Sequence, residues 1–534
     1  RRIFHQQIFT QNGGSLYEET NGMPDGALLE GGTPECRGPS QLLLYQRAHD
    51  TLLARALPEA QQRLADQGFP GTLGLLKNCR DADGQIYGAQ ENYEADLGSG
   101  AALAAYRVGT ALMLPLALAS LLLLVGVGLS VLVLTLGVML AAVAVMLLFA
   151  TVSAFIPPLR TLVDAKEDWG ILDRTSRVMA KGFVALEVAV WSPAYVPWLW
   201  VVRKTTHRAF RRDGLAFLLT RQVFSGAGTL VTDPLDPSQS STLHLSEKGV
   251  AMTGIARQWA TPSARVVFDP GNLMKVIPGM GLGRFRPVAR LFRRRQRMQL
   301  GLADANMAEW AEFLRLGTTL LVLDMAEAGA LGGLPRLKRP VAAQWIINAD
   351  SALTETVDTI AHGPMTALAI QRVYLERAEV FLAELGVASV EGRQVARMWR
   401  ETLDALETDP DQLFGRVDWV TKRVLLERSA ADAPWAVRKK VDLRYHELGT
   451  GYFAALEDAG LTTRLTTNDD IDHAITTPPR ESPAWTRGRL VQRLARSGTN
   501  ASVSWDSVRV RGPDAKVIYL ADRRAKDAAD VADD

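Results

Sequence analysis

The residues in this chain best suited to chemistry are carboxylates and amides, and three of them stand together as Gln90, Glu91 and Asn92. On a β-strand, Gln90 and Asn92 would share one face while Glu91 takes the other. Oxygen atoms of this kind are the ligands that Mg²⁺ prefers in proteins. We interpret the segment as a candidate Mg²⁺ site, with ordinary solvated strand positions as the alternative.

The elements around these residues predict an α+β framework. Alternation in GTLGLLKN (71–78) and QIYGAQENYEA (85–95) predicts two strands, joined by the turn DADG at 81–84. Ser40 is the expected N-cap of a helix that ends near Leu64. The expected site therefore lies on a strand that follows a tight hairpin turn.

The middle of the chain adds a glycine turn, a strand and a helix. The turn SGAG (225–228) could offer backbone N–H groups to a phosphate, although such turns are usually structural. The segment RMQLGLADAN (297–306) predicts a strand, and the next 23 residues, MAEWAEFLRLGTTLLVLDMAEAG, predict an amphipathic helix. The sequence has no Walker motif, dinucleotide fingerprint, HExxH or cysteine-rich zinc pattern, which excludes the commonest motif-based enzyme classes.

Length and cysteine content bound the protein class. A chain of 534 residues is expected to fold as two or three units. Cys36 and Cys79 are too few for a secreted disulfide framework and favour a reduced, cytosol-facing location. The chain begins RRIFHQQIF, without an initiator Met, so we expect that its true N-terminus is missing; the charged residues from Asp522 onward predict a disordered tail.

An uncharged block from Val108 to Leu159 predicts a membrane segment. One spanning helix needs about 20 apolar residues, so we expect a hairpin of helices near 108–127 and 130–156 that turns at VGVGLS. A second apolar stretch, 183–202, predicts an interfacial or re-entrant segment, with a third span as the alternative. A hairpin would keep both soluble halves in one compartment, and the basic residues at 203–212 predict that it is the cytoplasm.

A second basic run, RFRPVARLFRRRQR (284–297), carries seven arginines in fourteen residues. It could lie on anionic lipid, dock an acidic protein or bind a phosphate, and a solvated loop is the alternative. We expect no nucleic-acid partner, because no recognition module accompanies the run.

Several motifs in a shared order resemble the Pup ligase and Pup deamidase (depupylase) family, whose fold is similar to that of glutamine synthetase. They extend over nearly all of the chain outside the uncharged block. The motifs are NGGSLYEE (12–19), TPEC (33–36), DADGQIYGAQENY (81–93), LTRQVFSGAG (219–228), RMQLGLADANMAE (297–309) and DWVTKRVLLE (418–427).

The resemblance implies a curved antiparallel sheet packed with helices, interrupted by a membrane insertion. It also implies a set of site residues. Glu19 matches the catalytic aspartate; Asn92, Arg297, Gln299 and Asn306 match the nucleotide side; Glu35, Gln90 and Glu91 match metal-side positions. The expected parts are 1–94, the first part of a catalytic domain; 95–213, the insertion; 214–435, the rest of that domain; 436–521, a small C-terminal domain; and 522–534, the tail.

The resemblance further implies an ATP- and Mg²⁺-dependent ligase or amidase acting on the C-terminal Glu or Gln of a small Pup-like modifier. Target proteins and the lipid membrane would be its other partners, at the inner membrane of a bacterium. Glutamine stands at Gln90 and Gln299 where the family has histidine, and it is a poor metal ligand. A catalytically inactive scaffold that binds the modifier is therefore an alternative, and a ligase acting on a small amine is a third.

Overall fold

Helices and β-sheets alternate along the chain, so the computed structural model confirms the expected α+β class. Two units are distinguished: the first contains Arg1–Ala89, Arg212–Met252 and Leu302–Asp534, and the second contains Gln90–Arg211 and Thr253–Gly301. The structure describes residues 7–19, 28–82, 84–155, 186, 189–190, 192–194, 196–232, 241–256, 266–268, 286–385, 390–499, 501–505, 507–511 and 516–520.

The strands of the described residues form five sheets, ordered β1-β2-β3, β4-β9-β8-β7, β5-β6, β10-β11-β12 and β13-β14-β15. In chain order they are β1 (Gln7–Phe9), β2 (Ser15–Glu19), β3 (Leu28–Gly32), β4 (Glu91–Asp96), β5 (Thr229–Thr232), β6 (Ser241–His244), β7 (Gly254–Ala256), β8 (Val266–Phe268), β9 (Arg295–Leu300), β10 (Arg336–Leu337), β11 (Thr356–Ile360), β12 (Gly363–Thr366), β13 (Ala501–Val503), β14 (Ser507–Val510) and β15 (Lys516–Tyr519).

The helices pack mainly in the first unit. In chain order they are α1 (Gly38–Asp66), α2 (Gly100–Phe155), α3 (Arg208–Asp213), α4 (Leu215–Thr220), α5 (Gln222–Ser225), α6 (Arg286–Leu291), α7 (Glu309–Glu327), α8 (Pro340–Ala349), α9 (Ala367–Glu384), α10 (Val390–Thr408), α11 (Asp418–Ser429), α12 (Trp435–Arg444), α13 (Tyr452–Asp458), α14 (Asn468–Thr476) and α15 (Pro483–Ser497).

In the second unit, β4 and β9 pair antiparallel, from Glu91 opposite Leu300 to Asp96 opposite Arg295. The chain leaves the sheet after β4, passes through the uncharged block, and returns to the sheet at β9, almost 200 residues later. The pairing confirms that the segments before and after the uncharged block join within one sheet. The expected strand at 297–306 is shorter than predicted, because regular pairing ends at Leu300.

The expected hairpin inside the uncharged block is wrong. Residues 100–155 form one continuous helix, α2, through the proposed turn at 125–130. Gly126 and Gly128 weaken a helix without ending it, and no proline stands between 125 and 130 to break it. Ser130 instead donates its hydroxyl hydrogen bond to the Gly126 carbonyl oxygen one turn back.

The composition of α2 would allow a membrane crossing. Among the described residues, one helix, Gly100–Val145, is long and apolar enough for this, with a mean hydropathy of 2.7 in its most apolar part. That criterion rests on length and composition only. About 20 residues suffice for one crossing, so α2 is more than twice the required length.

A helix at residues 196–205, called the return helix below, runs antiparallel to the start of α2. A Cβ atom placed on Gly109 would lie only 2.7 Å from Cγ1 of Val201, and Ala117, two turns further along α2, packs against Ala194. The segment expected to be interfacial or re-entrant is therefore helical in its second half and packs along α2. A buried cluster joins the two helices to the end of β4: Leu97, Tyr106, Trp198, Leu199 and Val202.

The expected hairpin at 71–95 is only partly present. The chain reverses between Arg80 and Ile86, which form a bridge, and the Asp81 amide donates to the Gln85 carbonyl oxygen (3.1 Å). The segment before it does not pair with the strand after it. Leu76 instead bridges to Glu447 in the same unit, a long-range contact that local alternation does not predict.

The core of the first unit contains a charge cluster built on Asp442. Its carboxylate accepts hydrogen bonds from the ammonium groups of Lys422 and Lys439, each at 2.6 Å. Lys422 also donates to the Gly228 carbonyl oxygen at 2.7 Å. Although burial opposes it, the two ammonium groups hold the pKa of Asp442 well below its usual range. The cluster fixes α11 and α12 to the glycine turn before β5.

We expect Lys422→Met to destabilise the protein by about 3–5 kcal/mol, because Asp442 would lose one of its two buried cations. The measurement is the midpoint of thermal unfolding of the full chain in detergent. Arg428→Met removes an exposed cation from the same helix and should change stability by about 0.5 kcal/mol or less. Equal midpoints for the two variants would contradict this role of the cluster.

Candidate active site

The polar face of the β4–β9 pair brings four of the predicted site residues together. Asn92 lies opposite Gln299 in the register, and Arg297 lies opposite Glu94. The Arg297 Nε atom donates a 2.7 Å hydrogen bond to Oδ1 of Asn92. The amide of Gln299 donates to Oε1 of Gln90. Four side chains from two distant segments thus form one polar group.

The opposite face of the same strands belongs to the core. Tyr93, Met298 and Leu300 are buried there, and so is Glu91, which is 6% exposed. The expectation that Glu91 faces away from Gln90 and Asn92 is confirmed. The structure does not bring Glu91, predicted on the metal side, to the polar face.

Chemically, these four side chains combine one guanidinium with three amides, and the exposed Glu94 carboxylate lies on the same face, opposite Arg297. Arg297 and Asn92 are exposed, so the guanidinium can meet an anion from solvent. Guanidinium groups pair with phosphate oxygens through charge-assisted hydrogen bonds. The amides of Gln90 and Gln299 are already bonded to each other and do not titrate. The face therefore suits a phosphate-bearing ligand.

Glu35, the predicted metal ligand of the first unit, forms an ion pair with Arg487. The Arg487 Nη1 atom lies 3.1 Å from Oε1 of Glu35, and Nη2 contacts the other carboxylate oxygen. Arg487 is fully buried, and its guanidinium stacks on the rings of Trp505 and Phe9 at 4.5 and 5.5 Å. The carboxylate of Glu35 is therefore engaged by a fixed cation. The motif comparison gave no signal for Arg487.

Glu19, the predicted catalytic base, ends β2 and pairs with Leu28 of β3. Its side chain lies outside the described part of the structure. The same register puts Glu30 opposite Tyr17, two positions along each strand, so positions 19 and 30 share a face of this sheet. Sequence analysis missed Glu30, although its place in a short alternating segment could have drawn attention to it.

Asn306 is not on the strand that was expected to carry it. It follows β9 in a buried segment of the first unit, where its amide donates to Asp418 (2.8 Å) and to the Ser225 carbonyl oxygen (3.0 Å). Arg315 donates to its Oδ1 at 3.1 Å. Burial raises the pKa of Asp418, and the hydrogen bonds from Asn306 and Tyr445 oppose that rise. In this structure Asn306 anchors the loop before α7.

The glycine turn at 225–228 is structural. The Ala227 amide donates to the Asp304 carboxylate at 2.8 Å, and the Gly228 amide donates to the Leu245 carbonyl oxygen at the same distance. A Cβ atom on Gly226 would lie 2.1 Å from the Leu245 carbonyl oxygen. Protein acceptors already occupy the N–H groups that could have held a phosphate, and only glycine fits the approach.

Comparison with known proteins identifies the family. Residues 2–509 match the family described as Pup-ligase protein. The chain belongs to the Pup ligase family. The Pup–protein ligase of Acidimicrobium ferrooxidans is 25% identical over 525 residues, which cover 96% of this chain and 86% of the relative. That of Mycolicibacterium smegmatis is 25% identical over 523 residues, with the same coverage.

Two solved structures share the fold of this family member. The Pup ligase PafA in complex with ADP superposes with a TM-score of 0.66 at 23% identity, covering 99% of this chain and 89% of that one. The complex of Pup with its ligase PafA gives the same TM-score at 22% identity, covering 99% and 83%. These identities support the fold alone.

Members of the family are ATP-dependent carboxylate–amine ligases with ATP and Mg²⁺ as cofactors, and family membership assigns this chain to that enzyme class. The polar face of the second unit fits the nucleotide, because Arg297 is exposed beside Asn92. For Mg²⁺, the described residues offer no comparable set of ligands. No group of three or more His, Cys, Asp or Glu side chains that could hold a metal ion is found among the described residues.

We expect Arg297→Gln to weaken ADP binding by about tenfold to a hundredfold, the loss of one charge-assisted hydrogen bond. Isothermal titration of the full chain in detergent measures this. Arg295→Gln removes an exposed arginine two positions away on β9, where it lies near Asp96. If both variants lost the same affinity for ADP, the loss would come from the change in net charge, which would contradict a specific role for Arg297.

Proposed function

We propose that this protein is a membrane-attached ligase that joins the C-terminal glutamate of a small Pup-like modifier to lysine side chains of target proteins. The match to the Pup ligase family over residues 2–509 carries the proposal. The relatives are named Pup–protein ligases, and one structural neighbour is a complex of PafA with Pup. We also place the protein at a bacterial inner membrane with its catalytic parts in the cytoplasm.

The chemistry requires an activated carboxylate. The γ-phosphoryl group of ATP passes to a carboxylate oxygen of the modifier, giving an acyl phosphate and ADP. The lysine nitrogen then attacks the carbonyl carbon, phosphate leaves with the C–O bonding electrons, and an isopeptide bond results. The amine proton goes to a base, and the carboxylate of Glu19 is the proposed acceptor. Arg297 and Asn92 would hold the nucleotide phosphates.

The membrane part of the proposal has two supports. Beyond Arg107 the described side chains of α2 carry no charge, and most of the exposed ones are apolar, which is unfavourable in water. The exposed hydroxyls of Ser130, Thr135 and Thr151 donate to backbone carbonyl oxygens of the same helix. If α2 enters a membrane, the β4–β9 pairing requires both ends of the connection that contains it to lie on one side, which favours an even number of crossings. The return helix, packed antiparallel to α2, supplies a partner for part of α2.

A second candidate is a catalytically inactive scaffold that binds the modifier at the membrane. Two contacts favour it. Gln90 and Gln299 satisfy each other instead of a metal, and Glu35 is neutralised by the buried Arg487. If the protein is a scaffold, it should bind the modifier without releasing ADP. If it is a ligase, it should bind the modifier and also release ADP.

The ligase is tested by incubating the full chain in detergent with ATP, Mg²⁺, a lysine-bearing target and a modifier ending in glutamate. We expect a conjugate of increased mass together with ADP. Glu19→Gln should lower the rate by about a hundredfold or more, because the amide cannot accept the amine proton. Glu18→Gln alters the neighbouring acid of β2 and should leave the rate within about twofold of the parent chain, since its side chain takes the opposite strand face.

Modifier binding without conjugate or ADP release would reject the ligase and leave the scaffold. A modifier ending in glutamine separates a third outcome. Ammonia release from it, with no conjugate from the glutamate form, would assign the protein to the deamidase branch of the chemistry.

Membrane attachment is tested by replacing residues 112–196 with a short Gly-Ser linker. Gly109 and Val201 already lie side by side, so the linker spans a short distance. The buried cluster at the end of β4, which includes Tyr106 and Trp198, remains in the variant. We expect the variant to remain soluble without detergent and to bind ADP with unchanged affinity. A parent chain that stays monomeric in detergent-free buffer would contradict membrane attachment.

A further inference from the structure

We propose that exposed basic residues at the base of α2 and the return helix form a collar that binds the headgroups of anionic phospholipids. The inference rests on the membrane attachment proposed above and adds the kind of lipid. The collar consists of Arg107, Arg203, Lys204, Arg293, Arg294 and Arg295, all of them exposed.

The packing of the two helices sets the level of the collar. Gly109 of α2 contacts Val201 of the antiparallel return helix. Arg107 lies two residues before Gly109, and Arg203 lies two residues after Val201, so the two arginines stand at one height. Lys204 follows directly. The basic residues of both helices therefore ring the same end of the pair.

The third part of the collar comes from the segment before β9. The Arg107 Nε atom donates a 3.0 Å hydrogen bond to the Phe292 carbonyl oxygen. That bond brings the beginning of the run Arg293, Arg294 and Arg295 to the foot of α2. The run belongs to the same unit as the two helices.

Among the described residues of the second unit, the six cations of the collar outnumber the carboxylates that form ion pairs with them. Asp96 pairs with Arg294 at 2.6 Å and lies 3.9 Å from Arg295. Burial and the nearby charge of Arg203 lower the pKa of Arg211 to about 10, as expected where cations are crowded.

Apolar surface begins within one turn of these cations. Val108 and Leu112 of α2 are 59% and 66% exposed, and Trp200 on the return helix is 62% exposed. One helical turn rises about 5.4 Å. Exposed tryptophan beside basic residues is typical of the boundary between hydrocarbon and headgroups.

The short distance between the cations and the apolar surface favours a lipid bilayer as the partner. An acidic protein or a nucleic acid would satisfy the cations but leave the apolar turns of α2 in water. A bilayer that contains anionic lipids presents hydrocarbon and phosphate within the few ångströms that separate Val108 from Arg107. The collar would also set how deep the helices enter, because its charges remain at the headgroups.

The test uses the full chain in a neutral detergent, with phosphatidylglycerol and phosphatidylcholine added in equal amounts. Native mass spectrometry measures the lipids retained. We expect the parent chain to retain phosphatidylglycerol preferentially. The variant R203Q/K204Q/R293Q should bind it about a hundredfold more weakly, about fivefold for each cation removed. The control R393Q/R397Q/R428Q removes three exposed arginines of the first unit and should match the parent chain.

Three outcomes would overturn the collar: no preference in the parent chain, equal losses in both variants, or displacement of the lipid by an equal concentration of inorganic phosphate. The salt dependence of the parent chain needs no variant. Its preference should weaken between about 0.1 M and about 1 M salt, where the Debye length falls from about 10 to about 3 Å. A preference unaffected by salt would also overturn the collar. Membrane attachment fails separately, if the parent chain needs no detergent.

Discussion

The antiparallel pairing of β4 with β9 is the interaction on which the rest of the second unit depends. The chain leaves the sheet after Asp96 and closes again opposite it at Arg295. Closing so long a loop costs little more entropy than closing a short one, because the cost grows only logarithmically with length. Six paired positions, and the buried side chains on the opposite face of the two strands, hold both ends of this long connection.

That closure has two consequences for function. The polar face of Gln90, Asn92, Arg297 and Gln299 exists only because both strands are present side by side. The same closure makes the long connection that contains α2 begin and end on neighbouring strands, so this connection does not interrupt the sheet. Tyr106 and Trp198 belong to a small buried cluster that packs the first turns of α2 and the return helix against the end of β4.

Buried carboxylates organise the first unit in a similar way. Asp304, Asp418 and Asp442 each accept hydrogen bonds from backbone amides or cations that lie far apart in sequence. A buried carboxylate is costly unless such donors surround it, and so each one fixes the geometry of several segments at once. The glycine turn and the loop before α7 owe their shapes to these groups.

Sequence alone determined the class of fold, the family and much of the layout. Strand alternation placed Gln90 and Asn92 on one face, and the uncharged block marked the insertion, because both patterns depend only on neighbouring residues. Motif order identified the family although no single motif was decisive.

Only the tertiary structure decided how distant residues combine. The Leu76–Glu447 bridge, the Arg487 partner of Glu35 and the burial of Asn306 all join segments far apart along the chain. The helix that continues through 125–130 was missed because glycines that favour a turn in water do not end an apolar helix. Local patterns carry no information on which remote group will satisfy a given charge or amide, and that choice belongs to packing.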